Sequence, residues 1–174
     1  DMWRLSGLER DVMLYARNPT GIADFWVKCG LDDRYTDGTV NATIDLRQTS
    51  QMTNYSVELN IFDKNKRVVF TRQEKLGSEK PAPRAQVTFA GAVKNPEKWS
   101  AEFPNLYTAV ITIRDEQGRV TECAGAKLGF RRIEIKGARF LVNGQRALVK
   151  GVNRHEHEKY TGSRALSTSG MIED

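Results

Sequence analysis

Apolar and polar residues alternate with a period of two along much of the chain. In one segment the apolar positions are 40, 42, 44 and 46, and Asn41, Thr43 and Asp45 lie between them. A second segment has apolar residues at 55, 57, 59 and 61. Strict alternation is typical of a strand that buries one face and leaves the other in water. Both segments are therefore predicted to be half-buried strands.

Further apolar runs, separated by turn residues, complete the strand pattern. The turn signals are Asp37-Gly38, residues 63–66 and residues 116–118. No long segment shows the period of a helix. About seven strands between residues 20 and 132 predict an all-β fold, an immunoglobulin-like β-sandwich. The additional strands are predicted over residues 22–31, 68–70, 87–89, 106–113 and 120–130.

The two ends of the chain are less regular. Residues 11–16 are predicted to form a short strand. Asn143-Gly144 is a strong signal for a tight turn, which predicts a hairpin from residues 140–142 and 147–149. The chain after Arg154 lacks a strong apolar pattern, so we expect it to be poorly ordered when isolated.

Composition and charge narrow the possible partners. Hydrophobic residues make up 39% and charged residues 28%, which suits a soluble globular domain. No run approaches the roughly 20 apolar residues that cross a bilayer, so no membrane partner is expected. The net charge of +5 would suit nucleic acid, but acidic residues lie among the basic ones. The densest basic cluster, Lys64, Lys66 and Arg67, is predicted to be a solvated hairpin tip, and no nucleic-acid partner is expected.

Cysteine and histidine residues offer two candidate sites. Cys29 and Cys123 lie in predicted strands, and one disulfide is possible if these strands face each other. We expect two reduced, half-buried thiols, and the disulfide is the alternative. His155 and His157 flank Glu156, but they are the only 2 histidines and a zinc site needs a further ligand. We therefore expect no zinc site, and Glu156 to be a buried or salt-bridged support residue.

Several aromatic residues fit either a sugar-stacking platform or a hydrophobic core. Trp99 and Tyr107 flank the segment that leads into a predicted strand, and Tyr107 fits a tyrosine-corner arrangement. We predict core packing for both, and for Trp3 and Trp26, with sugar stacking as the alternative.

Four stretches together carry a resemblance to a known family. The stretches are residues 1–12 (DMWRLSGLERDV), 96–107 (PEKWSAEFPNLY), 129–134 (GFRRIE), and 142–144 (VNG) with 150–157 (KGVNRHEH). With these stretches the chain resembles glycoside hydrolase family two, and is most similar to its bacterial β-galactosidases. The order and spacing of all four stretches agree, and the resemblance covers essentially the whole chain.

The resemblance implies a particular domain order. Residues 1–18 would be a remnant of a jelly-roll sugar-binding domain, and residues 19–133 the sandwich. Residues 134–174 would be the opening segment of a (β/α)8 TIM barrel, the catalytic domain. Since the chain begins at Asp1 within a motif, we expect it to be a fragment, and the alternative is an autonomous sandwich module that binds a carbohydrate or a protein.

The resemblance also implies an activity that the fragment itself lacks. The parent would be a retaining β-galactosidase that hydrolyses terminal non-reducing β-D-galactosides such as lactose. Both catalytic glutamates of the family lie on later barrel strands, so the fragment is expected to be an inactive structural spacer. A related β-glucuronidase or β-mannosidase is the alternative parent, because these enzymes share two of the four themes.

Family resemblance assigns two site residues in the parent. His155 would contact galactose hydroxyls and stabilise the transition state, and its alternative role is to hold a loop. Asp1 would bind the galactose 6-hydroxyl and a sodium ion, and magnesium is also implied for the parent. The residues after His157 are Glu158-Lys159-Tyr160, where many relatives have proline, so we expect the barrel entry loop to differ in shape from theirs. A homo-oligomer is expected, in the cytoplasm or, as the missing native N-terminus allows, the periplasm.

Overall fold

The computed structural model describes residues 12–18, 20–47, 54–77 and 84–153. The chain divides into two compact units. One is Arg17–Leu148, and the other contains Asp1–Ala16 and Val149–Asp174. Of the second unit only residues 12–16 and 149–153 are described, and they are exposed and form no strand.

Seven strands of the larger unit form two antiparallel sheets that face each other. One sheet has three strands in the order β1-β2-β5, and the other has four in the order β4-β3-β6-β7. This arrangement confirms the predicted all-β sandwich. The strands are β1 Gly21–Leu31, β2 Gly38–Arg47, β3 Ser56–Phe62, β4 Val68–Lys75, β5 Arg84–Val93, β6 Tyr107–Arg114 and β7 Val120–Leu128.

The core lies between the sheets and follows the alternation of the sequence. In β2 the residues at 40, 42, 44 and 46 are buried, while Asn41 is exposed and Thr43 and Asp45 are partly exposed. β3 and β6 alternate in the same way, and their apolar residues meet those of β2 and β5. Burial of these side chains is the main force that holds the sheets together. The fully buried members include Ile44, Leu46, Val57, Leu59, Ile61, Ile113 and Phe130.

A short three-stranded meander follows the sandwich. Its strands are β8 Ile133–Lys136, β9 Arg139–Val142 and β10 Gln145–Arg146, in the order β10-β9-β8. Both connections are two-residue turns. Gly137 and Ala138 have φ of 55° and 57°, and Asn143 and Gly144 have φ of 51° and 75°. Positive φ at both central residues is the geometry of a type I′ turn, which matches the twist of the strands it joins.

The structure corrects two expectations about the ends. The part of the predicted strand 11–16 that is described, residues 12–16, is not a strand. The turn at Asn143-Gly144 is confirmed, but pairing resumes directly at Gln145, which faces Val142, rather than at Ala147. The sequence analysis also missed β8, because Gly137-Ala138 is not a common turn pair. The predicted disorder beyond Arg154 falls outside the described residues.

Candidate functional site

The two predicted site residues lie outside the described part of the chain. Neither Asp1 nor His155 is among the described residues, and the same holds for Glu156 and His157. The roles given to them stay predictions. What the structure does describe is the joint between the sandwich and the meander, through which the chain runs toward His155.

Phe130 is the hydrophobic centre of this joint. It follows β7, is 0% exposed, and meets the Tyr107 ring edge to face with centroids 4.9 Å apart. Its ring lies so close to Gly38 that a Cβ there would be 2.5 Å from a ring carbon. Only glycine leaves room for the ring at that position. A backbone hydrogen bond also fixes Phe130, since Trp99 N–H donates to the Phe130 carbonyl at 3.0 Å.

Asn143 ties the second turn of the meander to the sandwich. Its Oδ1 accepts a hydrogen bond from Arg132 N–H at 2.9 Å, and its Nδ2 donates to the Trp99 carbonyl at 3.0 Å. Its own N–H donates to the Arg132 carbonyl at 2.8 Å. Asparagine tolerates the left-handed backbone conformation that this turn requires. One side chain therefore sets the turn and attaches it to two sandwich-side segments.

An ionic network covers the other side of the joint. The Tyr35 hydroxyl donates to Glu134 Oε2 at 2.7 Å, and Arg132 Nη2 lies 3.1 Å from Glu134 Oε1. Arg132 Nη1 also donates to Asp33 Oδ1 at 2.6 Å. The hydrogen bond to Glu134 raises the pKa of Tyr35, with smaller effects from desolvation and the charge of Glu134. This network links the β1–β2 loop to β8.

Gly144 fits between this network and the meander turn. A Cβ added there would lie 2.8 to 2.9 Å from carbons of the Tyr35 ring, and its φ of +75° is strained for other residues. Two separate constraints therefore favour the Asn143-Gly144 pair: the backbone geometry of the turn and the close contact with the sandwich. The sequence showed the turn, but the contact with Tyr35, over a hundred positions away, left no local signal.

Tyr107 fulfils the predicted tyrosine-corner role. It is buried at the start of β6, and its hydroxyl accepts a hydrogen bond from Glu97 N–H at 2.8 Å. Burial raises the pKa of the Tyr107 hydroxyl, although the hydrogen bond from Glu97 N–H acts in the opposite direction. Lys64, at the exposed tip of the β3–β4 hairpin, donates to Glu97 Oε1 at 2.8 Å. The hairpin tip is thereby linked to the segment before β6.

Core packing was predicted for all three tryptophans. Trp99 is half-buried, with the Arg131 guanidinium 4.3 Å from its ring centroid, but it is not part of the hydrophobic core cluster, so the predicted core packing is not confirmed. The prediction for Trp26 is wrong, because its side chain is 68% exposed. The neighbours Phe25 and Val27 point toward the core, so Trp26 must point to the opposite face of β1. Trp3 lies outside the described residues.

Both cysteines are free thiols, so the possible disulfide is not formed. Burial raises the pKa of the Cys29 thiol to about 12, while Cys123 is exposed. Cys123 Sγ lies 3.9 Å from Thr112 Oγ1. The expectation of two half-buried thiols holds for Cys29 and fails for Cys123, whose position on the edge strand β7 leaves it in solvent.

The described residues offer no other site with evident chemistry. Within residues 12–18, 20–47, 54–77 and 84–153, no group of three or more His, Cys, Asp or Glu side chains is placed to hold a metal ion. In the same ranges, no helix has the length and apolar character needed to span a membrane.

The two-sheet sandwich and the meander belong to one compact unit, Arg17–Leu148. Residues 20–131 match the family described as Glycosyl hydrolases family 2. Residues 133–174 match the TIM barrel domain of the same family. The first match covers more than half of the chain, so the chain belongs to glycosyl hydrolase family 2. The family predicted from the sequence motifs is confirmed.

Curated relatives extend the match over the whole chain. A β-galactosidase of Priestia megaterium is 35% identical over 179 residues, which cover 100% of this chain and 17% of the relative. A β-galactosidase of Pseudoalteromonas haloplanktis is 36% identical over 178 residues, with the same coverage of 100% and 17%. The chain thus spans about a sixth of the length of these relatives.

Solved structures share the fold at lower identity. A glycosyl hydrolase family 2 member from Bacteroides cellulosilyticus superposes with a TM-score of 0.75 at 23% identity, covering 86% of this chain and 21% of that one. A β-glucuronidase of Parabacteroides merdae gives a TM-score of 0.72 at 21% identity, covering 89% and 19%. At these identities the likeness establishes the fold alone.

Proposed function

We propose that the whole protein is a retaining β-galactosidase that hydrolyses terminal non-reducing β-D-galactosides such as lactose. The observation that carries this proposal is the match to curated β-galactosidases, at 35% to 36% identity over 100% of this chain. The opening residues 1–4 (DMWR) and the run at 154–157 (RHEH) favour a β-galactosidase over its sister enzymes.

In this proposal the chain is a spacer and not the catalyst. Retaining glycosidases need two carboxyl groups about 5 to 5.5 Å apart, one as nucleophile and one as acid/base. Both would be glutamates on later barrel strands, beyond residue 174. The joint at Phe130 and Asn143 supports the spacer role, because it fixes the direction in which the chain leaves the sandwich. The jelly roll before it and the barrel after it would then be held by one rigid domain.

His155 and Asp1 would be the contributions of this chain to the active site. A hydrogen bond from His155 to a galactose hydroxyl would lower the barrier if it strengthens as the sugar ring flattens. His155 would lie at the C-terminal end of a barrel strand, where TIM-barrel sites are built. Asp1 would hold the galactose 6-hydroxyl and supply one carboxylate oxygen to sodium, a hard cation that suits oxygen ligands. We assign no residue of this chain to magnesium.

The parent would act as a homo-oligomer, and its compartment would be the cytoplasm, with the periplasm as the alternative. Large family members use their sandwich domains in subunit contacts, which is the basis of the oligomer proposal. Measuring the mass of the full-length protein in solution by light scattering would test it. A monomer would contradict it.

The decisive experiment uses the full-length protein and three nitrophenyl substrates: the β-galactoside, the β-glucuronide and the β-mannoside. We expect hydrolysis of the galactoside, and for His155→Ala a loss in kcat of about 100-fold or more, since one transition-state contact is typically worth that much. Asn65→Ala, at an exposed hairpin tip, is the control. Preference for the glucuronide or mannoside would identify a sister enzyme, and full activity of a folded His155→Ala variant would make His155 structural.

The 174-residue chain alone is expected to show no hydrolysis of the nitrophenyl β-galactoside above a blank. The measurement needs enough protein to exclude traces of a host enzyme, and a parallel preparation from cells without the gene is the control. Stoichiometric turnover by the chain would mean that it holds its own catalytic carboxylates. Specific sugar binding by the chain would instead favour the autonomous-module alternative.

A further inference from the structure

A groove of about 580 Å³ lies along the side of the sandwich where the two sheets part. β1 and β7 are edge strands of their sheets, so each has one side without a paired strand. Near their first residues Glu122 joins them, since Ile22 N–H donates to its Oε2 at 2.9 Å and Arg17 donates to its Oε1 at 2.8 Å. Further along both strands nothing comparable bridges the edges among the described residues, and the groove opens there.

The groove combines apolar surface with positive charge. Trp26 is 68%, Ile133 48% and Leu106 45% exposed, although all three are large apolar side chains. The charged residues that line it are Lys28, Lys127 and Arg131, and no aspartate or glutamate is among the described lining residues.

The three cations of the groove differ from the arginines and lysines of the described chain that form ion pairs. Arg17, Arg47 and Lys64, for example, form ion pairs with carboxylates. Lys28 and Arg131 instead lie over the rings of Trp26 and Trp99, and Lys127 donates to the Thr108 hydroxyl at 2.8 Å. Within the described ranges none of the three has a carboxylate partner. An acidic ligand with some apolar surface would complement this charge pattern.

The surroundings of Trp99 favour a polypeptide over a sugar. The Arg131 guanidinium lies 4.3 Å from the Trp99 ring centroid, and the Gly129 backbone packs against the same side chain. The Arg131 guanidinium thus takes a face of the Trp99 ring on which a sugar would stack. Two open strand edges, in contrast, offer backbone N–H and C=O groups to an extended peptide, as in recognition by strand addition. We propose that this groove binds an extended, acidic segment of a partner polypeptide.

The test measures binding of a short labelled peptide that alternates glutamate and valine, by fluorescence anisotropy with the 174-residue chain. We expect saturable binding that weakens with salt and that a lysine–valine peptide does not reproduce. Reversing the charge of Lys28 and Lys127 to glutamate should weaken binding about tenfold or more, because like charges then face each other. Placing proline at alternate positions of the peptide should also weaken it, since proline cannot donate a backbone hydrogen bond.

The control carries the same charge change on the opposite edges of the sheets. Lys75→Glu with Lys94→Glu alters exposed lysines at the ends of β4 and β5, away from the groove. If this control loses as much binding as the groove variant, the loss comes from net charge alone and the proposal is overturned. Circular dichroism verifies folding, and if the reversed variant unfolds, Lys28→Gln with Lys127→Gln replaces it.

Three other results would also overturn the proposal. If the acidic peptide does not bind, the groove is not a peptide site. The lysines would then serve only to prevent edge-to-edge aggregation of the sheets. Tighter binding of an oligogalacturonate, lost on charge reversal, would make the occupant an acidic sugar. Lysine-dependent self-association in sedimentation, without peptide binding, would make it a second copy of the chain.

Discussion

Asp115 organises the turn between β6 and β7 through its side chain. Its Oδ1 accepts hydrogen bonds from the N–H groups of Gln117 at 3.0 Å and Arg119 at 2.8 Å. Arg119 Nε donates to its Oδ2 at 2.8 Å. Asp63 repeats this design in the β3–β4 turn, where its Oδ1 accepts from Asn65 and Arg67 N–H at 2.8 and 2.9 Å. The same residue type, four positions before an arginine, closes two neighbouring hairpins.

The pKa of Asp115 makes this turn sensitive to acid. Burial acts to raise the pKa, but the hydrogen bonds from Arg119 and Gln117 outweigh it and hold the pKa below the ordinary 3.8. A carboxyl group with a lowered pKa in the folded state stabilises the fold above its ordinary pKa, and this contribution disappears as pH falls through the folded value. The turn should therefore begin to lose stability once the pH falls below 3.8.

Asp115→Asn tests this linkage. The variant is expected to be less stable than wild type near neutral pH, because the charge opposite Arg119 is gone, and to lose less stability between pH 5 and strong acid, the range over which such carboxyl groups act. Urea unfolding at a series of pH values gives the measurement, with Glu102→Gln at an exposed loop as the charge control. Parallel acid curves for wild type and Asp115→Asn would contradict the prediction.

The two thiols should differ strongly in reactivity. Because burial raises the pKa of Cys29 to about 12, almost none of it is thiolate at mildly alkaline pH, and the thiolate is the reacting form. Cys123 is exposed on β7. We expect iodoacetamide to label Cys123 much faster than Cys29 in the folded chain, and both at similar rates in urea, as measured by peptide mass spectrometry. Equal rates in the folded chain would mean that the β1 edge opens frequently.

At the scale of elements, alternation predicted the sandwich because each strand buries one face. The segments around Ile44 and Leu59 could be assigned from their sequence alone, since neighbours on the pleated strand must point to opposite sides. β1 was more difficult. A bulge between Ile22 and Asp24 shifts the phase, so Ile22 and Phe25 face the same side although they are an odd number of residues apart. Because Phe25 and Val27 both face the core, the residue between them, Trp26, has to face away from it.

The joint could be predicted only in part, for a physical reason. Asn143-Gly144 is a local turn signal, and the turn is present. Asn143 donates to the Trp99 carbonyl, and Gly144 lies against the Tyr35 ring. Both contacts join residues that are distant in sequence, so they leave no periodic pattern. Residues 129–134 resemble the family, but this resemblance did not predict that Arg132 and Glu134 form an ionic network. The positions of Asp1 and His155 stay predictions, because both residues lie outside the described part of the chain.

Asn143→Ala is expected to loosen the meander more than the sandwich. The substitution removes two side-chain hydrogen bonds, each worth about 0.5–1.5 kcal/mol, so β8 and β9 should open more easily by about 1–3 kcal/mol. Hydrogen exchange followed by mass spectrometry would show faster exchange in residues 133–142, with β3 unchanged. Asn65→Ala, at an exposed hairpin tip, is the matched control. Uniformly faster exchange in both regions would contradict a local role.

At the scale of the whole molecule, the question is whether the meander and the sandwich fold as one body. Both belong to the unit Arg17–Leu148. Phe130 connects them, because its ring fills the end of the sandwich against Tyr107 while its carbonyl receives Trp99 N–H. The chain then continues directly through Arg132, which binds Asn143. The spacer role proposed above needs this property, since a flexible joint would not transmit a fixed orientation.

Phe130→Ala therefore tests whether the sandwich and the meander unfold together. Truncating a fully buried phenylalanine costs about 3–5 kcal/mol, a large share of the roughly 5–15 kcal/mol that stabilises a domain. We expect the urea midpoint to fall with little change in slope, and amides of β3 and β9 to lose protection together as urea rises. Phe130→Leu, which keeps most of the apolar volume, should lose less. If β9 lost protection at low urea while β3 stayed protected, even in wild type, the meander would be a separate folding unit, and the orientation of the following chain would have to be set by the barrel.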